Sequence, residues 1–182
     1  MDKTYHTELF RIFLIEALPE PLTRASSHLQ FFDNYISNTR MRLRSIRDPE
    51  TKEWTRILQQ RLMLPTNVHK LAEIHLDEAE HAQFEIFEGT EIRKNRYFHE
   101  FDSRMFSFDV YLGELWGVNR ARVDFGSEDE LLAFNPPPWA IYEISSEPFF
   151  DDGNLVTQTL EEIRREIEKL EPLTAAKVAP DQ

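Results

Sequence analysis

Three arginines alternate in TRMRLRS, so Arg40, Arg42 and Arg44 share one face if that segment is a strand. Like charges side by side repel unless an anion lies between them, and guanidinium forks match phosphate or carboxylate oxygens. The same two-residue spacing joins Lys94 to Arg96 in IRKNRY and Arg122 to Asp124 in RARVDF. It also aligns His69, Glu73 and His75 in HKLAEIH, and Glu8 with Phe10, Ile12 and Leu14. Basic stripes suit a small anion, carboxylates a hard divalent cation, imidazoles a transition metal. From His69 to His75 a strand covers about 20 Å at roughly 3.3 Å per residue. Those two cannot hold one ion, and only Glu73 with His75 could. For each stripe the competing reading is the solvated outer face of an antiparallel sheet. Opposite the arginines stand Met41, Leu43 and Ser45, half apolar, so the pattern alone leaves the direction of the stripe open.

The chain that must position these groups has 182 residues and a formal net charge of −12, from 21 Lys+Arg and 33 Asp+Glu. A surface so acidic repels polyanions and argues against a nucleic-acid binder. The length fits one domain able to bury about 70% of its unfolded surface. The absence of cysteine excludes disulfides, thiolate metal sites and Cys nucleophiles. No secretory leader pattern or long apolar run occurs, and the expectation is a cytoplasmic protein without a membrane partner.

Eight segments read as strands: 7–15, 39–47, 53–62, 69–76, 91–98, 105–112, 119–125 and 140–145. Eight is a number at which a sheet closes into a small barrel. Asp77 with Glu80 has the form of a capping box, and Gly89 sits where a left-handed helix stop would go. Ser127 with Glu130 repeats the start, and Asn135-Pro-Pro-Pro supplies the end. Val156, Leu160, Ile163, Ile167 and Leu170 form an apolar stripe on a charged C-terminal helix, made for docking on the barrel or for a homodimer. The expected fold is α+β, mainly β: an eight-stranded antiparallel barrel with a few surface helices, residues 1–170 as one domain, and 171–182 as a flexible tail.

In order along the chain, TELFRIFLIEALP, the Arg42–Arg44 strand, Lys94-x-Arg96-Tyr97, Asp109-Val-Tyr-x-Gly113, the strand Arg122 to Phe125, and FNPPPWAIYEIS resemble the CYTH domain, or triphosphate tunnel metalloenzyme, superfamily. The resemblance covers roughly residues 7–156. It implies a tunnel whose charged stripes point inward, where basic residues grip a triphosphate and paired glutamates hold divalent cations.

The departures from that pattern are informative. Of the ExExK motif only Glu8 remains, with Phe10 and Ile12 in the other places; the middle acidic pair falls on Leu71 and Glu73, the later pair on Arg122 and Asp124. Gln59 and His69 stand where basic residues are expected, as do Pro148 and Phe149. The resemblance thus implies a ligand-binding set of Arg42, Arg44, Lys94 and Arg96, joined by Arg40 and Arg122, in a net positive lining. Glu8, Glu73 and Asp124 remain as metal candidates for Mg²⁺ or Mn²⁺, or for no metal. The expected function is binding of a small phosphorylated or other anionic ligand with metal-dependent catalysis weakened or lost. The alternatives are an active metal-dependent triphosphatase or related phosphohydrolase, and a scaffold whose internal charges pair with one another.

Overall fold

The computed structural model describes residues 6–63 and 68–173. Nine strands form one antiparallel sheet: β1 (His6–Leu14), β2 (Leu29–Ile36), β3 (Met41–Arg47), β4 (Trp54–Met63), β5 (Val68–Leu76), β6 (Gly89–Phe101), β7 (Arg104–Tyr111), β8 (Asn119–Phe125) and β9 (Tyr142–Glu143). The order is β5-β4-β3-β2-β6-β7-β8-β1-β9, and β1 also pairs with β5, so the first eight strands close into a barrel. Closure removes the exposed edges that an open sheet would carry.

The strand count of eight is right, but its membership is not. Leu29–Ile36 is a barrel strand that the pattern missed, because Asp33 and Asn34 interrupt LQFFDNYI with residues usually depleted in strands. Segment 140–145 shrinks to the two-residue β9, which pairs only with Phe13 and Leu14. Gly89 stops no helix. It opens β6 opposite Ile36, where an added Cβ would lie 2.4 Å from the Tyr35 carbonyl oxygen.

The barrel is polar inside and apolar outside. Phe13, Phe106, Phe108, Ala121 and Val123, all outward, are at most 1% exposed and are covered by Leu18, Leu22, Phe134 and Trp139 from the connecting segments. Helix α1 (Glu78–Phe84) starts at the expected capping box of Asp77 and Glu80. It covers the outside of β3, with Phe84 against Leu43 and His81 Nε2 2.9 Å from Ser45 Oγ. This explains the half-apolar face opposite the arginines and turns Arg42 and Arg44 inward. Helix α2 (Glu128–Ala133) is capped by Ser127 and ends before the proline run.

One barrel end is plugged. After β9 the chain makes a 3-10 turn (Pro148–Phe150), helix α3 (Asp152–Leu155) and helix α4 (Leu160–Ile167). Phe150 and Leu155 meet the inward Leu14, Ile92 and Tyr111, and Ile163 of α4 joins the same cluster at 1% exposure. The apolar stripe is thus engaged with its own barrel, as the docking reading expected. Leu173 donates to the Ile141 carbonyl at 2.8 Å, and 174–182 lie outside the described residues. Among the described residues no helix is long and apolar enough to cross a membrane.

Candidate functional site

A cavity of about 1070 Å³ occupies the barrel. Inward positions on β3, β2, β6, β7 and β8 build a belt of charge within it. Asp33, fully buried, accepts from Arg44 Nε and Nη2, both at 2.6 Å, and lies 3.6 Å from Arg42 Nη1. Asp109 accepts from Arg96 at 2.6 and 2.8 Å and from Lys94 Nζ at 2.9 Å. Asp152, carried in by the plug, accepts from Lys94 Nζ at 2.7 Å, from Arg120 Nη2 at 2.5 Å and from the Tyr111 hydroxyl. Five cations therefore share three aspartates. Arg42 is the loosest held, its guanidinium directed mainly at Gln59 Oε1 and, at 3.0 Å, the Tyr35 hydroxyl.

Each shift in acidity follows from this crowding. Burial opposes ionisation of Asp33, yet Arg44 and Arg42 prevail and hold its carboxyl at about 2. Asp109 and Asp152 are likewise driven well below the usual carboxylate range against burial, by Arg96 and Lys94 in one case and Arg120 and Lys94 in the other. Burial lowers Lys94 below its ordinary value although both aspartates counter it.

The opposite arc, on β8, β1 and β5, has a different chemistry. Arg122 Nη2 donates to Glu8 Oε1 at 3.1 Å and to Asp124 Oδ1 at 2.5 Å, and its guanidinium lies 4.4 Å above the Phe10 ring. Arg61 sits 3.7 Å from Glu8 and 3.4 Å from Asp151 of the plug. His69 is 5% exposed, packs edge-on against Phe10, and is kept neutral by burial and by Arg61, with its pKa lowered to about 4. Glu73 accepts from Gln59 Nε2 at 2.9 Å. The metal candidates Glu8, Glu73 and Asp124 all line the cavity, but Arg122 stands between two of them with its positive charge. Among the described residues no three His, Asp or Glu side chains gather as a metal site. This donor set does not fit a divalent cation.

Of the proposed ligand-binding residues, Arg42, Arg44, Lys94, Arg96 and Arg122 line the cavity together. Arg40 is exposed and lines a second, smaller depression of about 430 Å³ at the plugged end, which shares Arg42, Gln59, Arg61 and Asp151 with the main cavity. The expected excess of positive charge shrinks: eight Arg and Lys and seven Asp and Glu line the main cavity. The excess was overstated because Glu147, Asp151 and Asp152 lie in the segment after β9, where no alternation marks them, and Asp109 on β7 adds to them. Asp109 and Arg120 could have been found from the period, since Asp109 pairs with Arg96 and with Arg120 across neighbouring strands. Arg61, two residues beyond Gln59 on β4, supplies a cation where Gln59 does not. Glu143 and Ser145 bond Arg11, Ile12 and each other.

No family model matches the chain. Seventy of its residues are 37% identical to an inorganic triphosphatase of Nitrosomonas europaea; the match spans 36% of this chain and 46% of that protein, so the chain spans about half the length of the curated relative it matches. A solved structure of an inorganic triphosphatase superposes with a TM-score of 0.57 at 23% identity, covering 83% of this chain and 95% of that one. A second structure of the same protein gives a TM-score of 0.57 at 22% identity, with coverage of 84% and 99%. At these identities the two superpositions speak for the fold.

Proposed function

We propose that the chain is a member of the CYTH, or triphosphate tunnel, superfamily, a reading supported by the barrel superposition and by the 70-residue match to an inorganic triphosphatase, and that it binds a small phosphorylated anion inside the barrel. The observation that carries this reading is the belt of Arg42, Arg44, Lys94, Arg96 and Arg120 around Asp33, Asp109 and Asp152, with two positive charges unmatched. The forks of Arg44 and Arg96 are fixed by their aspartates and stack on Phe31 at 4.8 and 4.6 Å, so little entropy is lost when an anion arrives. Calorimetry with tripolyphosphate and with a nucleotide, each with Mg²⁺ and with EDTA, tests it. Binding that persists in EDTA and weakens in Arg42→Ala is expected; no binding under either condition refutes it.

Hydrolysis of a triphosphate is the second reading, favoured by the sequence match to an inorganic triphosphatase. The carboxylates engaged by Arg122 speak for weakened metal chemistry, so no metal-assisted step is assigned. Phosphate release that depends on added Mg²⁺ or Mn²⁺ would place this reading first. The scaffold reading is disfavoured by the cavity volume, since charges that only neutralise one another would close around themselves.

A further inference from the structure

The outer face of β2, β3, β4 and β6 carries a basic and aromatic surface on a chain whose net charge is −12. Phe32 pairs with Arg93 on β6 and with Ser45 on β3, and Ser45 pairs with Arg56 on β4, so these four form one outward row. Gln30, Arg47 and Trp54 form the next. The rings of Phe32 and Trp54 lie 5.7 Å apart, and Arg47 and Arg56 place their guanidiniums 5.9 and 5.8 Å from the centre of Trp54, which is 44% exposed. Helix α1 lies beside these rows, with His81 on Ser45 and Phe84 on Leu43 of the neighbouring row. It starts at the Arg56 end, since Leu76 opposite Arg56 lies two residues before Glu78. It finishes at the Phe32 end, where Asn34 Nδ2 donates to the Phe87 carbonyl at 3.4 Å. Ile86 and Phe87 there are 77% and 48% exposed.

Among the described residues Arg47 and Arg56 reach no carboxylate, and Glu78 reaches no Arg or Lys. Glu85 meets only His81, at 3.3 Å, a ring whose pKa burial lowers, so this carboxylate also keeps its charge unmatched near neutral pH. Cations and anions thus stand side by side on one face without neutralising one another. We infer that this face is a two-fold interface with a second copy of the chain, in which α1 of each copy lies on the arginine and tryptophan rows of the other. A two-fold interface uses the same patch on both subunits and therefore needs a surface that complements itself. The axis that exchanges α1 with the arginine rows runs along the helix and keeps its ends in place. Glu78 of one copy then falls at Arg56 of the other, and Ile86 and Phe87 fall on Phe32. An acidic segment of a different protein would satisfy the arginines but would set its charge against Glu78 and Glu85. At physiological ionic strength the repulsion between two copies is screened over roughly 8 Å, so the charges in contact decide. The apolar stripe of α4 is engaged with its own barrel and takes no part.

The test is sedimentation of the full chain over a range of concentrations at physiological ionic strength, repeated on Arg56→Glu, on Glu78→Arg and on the two together. The unaltered chain is expected to pass from monomer to dimer as its concentration rises, an observation that needs no variant. Each single variant sets like charges against each other at two symmetry-related places, and should raise the dissociation constant about a hundredfold. The double variant restores opposite charges across the interface and should recover most of that affinity. A chain that stays monomeric at every concentration overturns the inference and leaves the arginines to an acidic segment of another protein. A dimer that neither single variant weakens, or a double variant no tighter than the singles, overturns it as well.

Discussion

Asp152 reaches from the plug into the barrel and sets its carboxylate 2.7 Å from the ammonium of Lys94, which is 1% exposed. The two residues are 58 positions apart, and their contact ties the C-terminal segment to the strand that carries the belt. The protein thus closes its own tunnel with an anion at the depth where a ligand's phosphate would meet the same cations.

Removing that anion leaves Lys94 and Arg120 buried without their shared partner. Asp152→Asn should lower unfolding stability by about 3–5 kcal/mol, the usual cost of breaking a buried pair from one side. Phosphate should restore part of the loss, because an anion that binds only the folded state stabilises it by mass action. Urea unfolding with and without phosphate reads both effects. A variant as stable as the parent would mean that the plug is held by Phe150 and Leu155 alone.

Acid should act in two stages. His69 is neutral in the folded state because burial and then Arg61 lower its pKa from 6.5 to about 4. The unfolded chain takes up a proton between those values that the folded chain refuses, so this stability is complete above pH 6.5 and declines as the pH falls toward 4. Asp33 follows: depressed from 3.8 to about 2 by Arg44 and Arg42 against its burial, it contributes fully above 3.8 and loses that contribution toward pH 2. Unfolding midpoints measured at successive pH values should show both declines, and His69→Phe should flatten only the first. An unchanged slope between pH 6.5 and 4 would remove His69 from the account.

How far the sequence announced this site depended on the element that carries each residue. On β3, β6 and β8 the period of two placed Arg42, Arg44, Lys94, Arg96 and Arg122 on shared faces, and the barrel turns those faces inward. Direction was not legible from β3 itself, because it is decided by α1, whose Phe84 and His81 claim Leu43 and Ser45. Strand β2 stayed hidden because burial of Asp33 inside a barrel inverts the usual rule that an acidic residue weakens a strand. Asp152 was less legible still: its partners lie on β6, β7 and β8, and only the folded plug brings them together.

Arg122 is the residue that separates this lining from a metal site. It engages Glu8 and Asp124 at once, so Arg122→Gln should release Asp124 and leave Glu8 to Arg61 alone while keeping a polar side chain over Phe10. Mn²⁺ should leave the thermal midpoint of the parent unchanged and raise that of the variant by a few degrees, as a ligand of the folded state alone does. Saturable Mn²⁺ binding by the parent that disappears in Glu8→Gln would reverse this conclusion and favour the metal-dependent reading.

Two arginines that both line the cavity should respond unequally to truncation. Arg104 at the mouth lies 3.4 Å from Glu130, with both side chains well exposed, and Arg104→Ala should cost no more than about 1 kcal/mol. Arg44 is held by both oxygens of Asp33, which has no exposure, and Arg44→Ala leaves that carboxylate to Arg42 alone at 3.6 Å. A loss of about 3–5 kcal/mol follows. Asp33→Asn in the Arg44→Ala background should recover part of it by removing the buried charge that Arg44 had neutralised. Urea unfolding of the two single variants and the double variant measures the coupling. Additive losses would show that Asp33 and Arg44 do not act as a pair, and the belt's fixed geometry would have to come from Phe31 and the strand pairing instead.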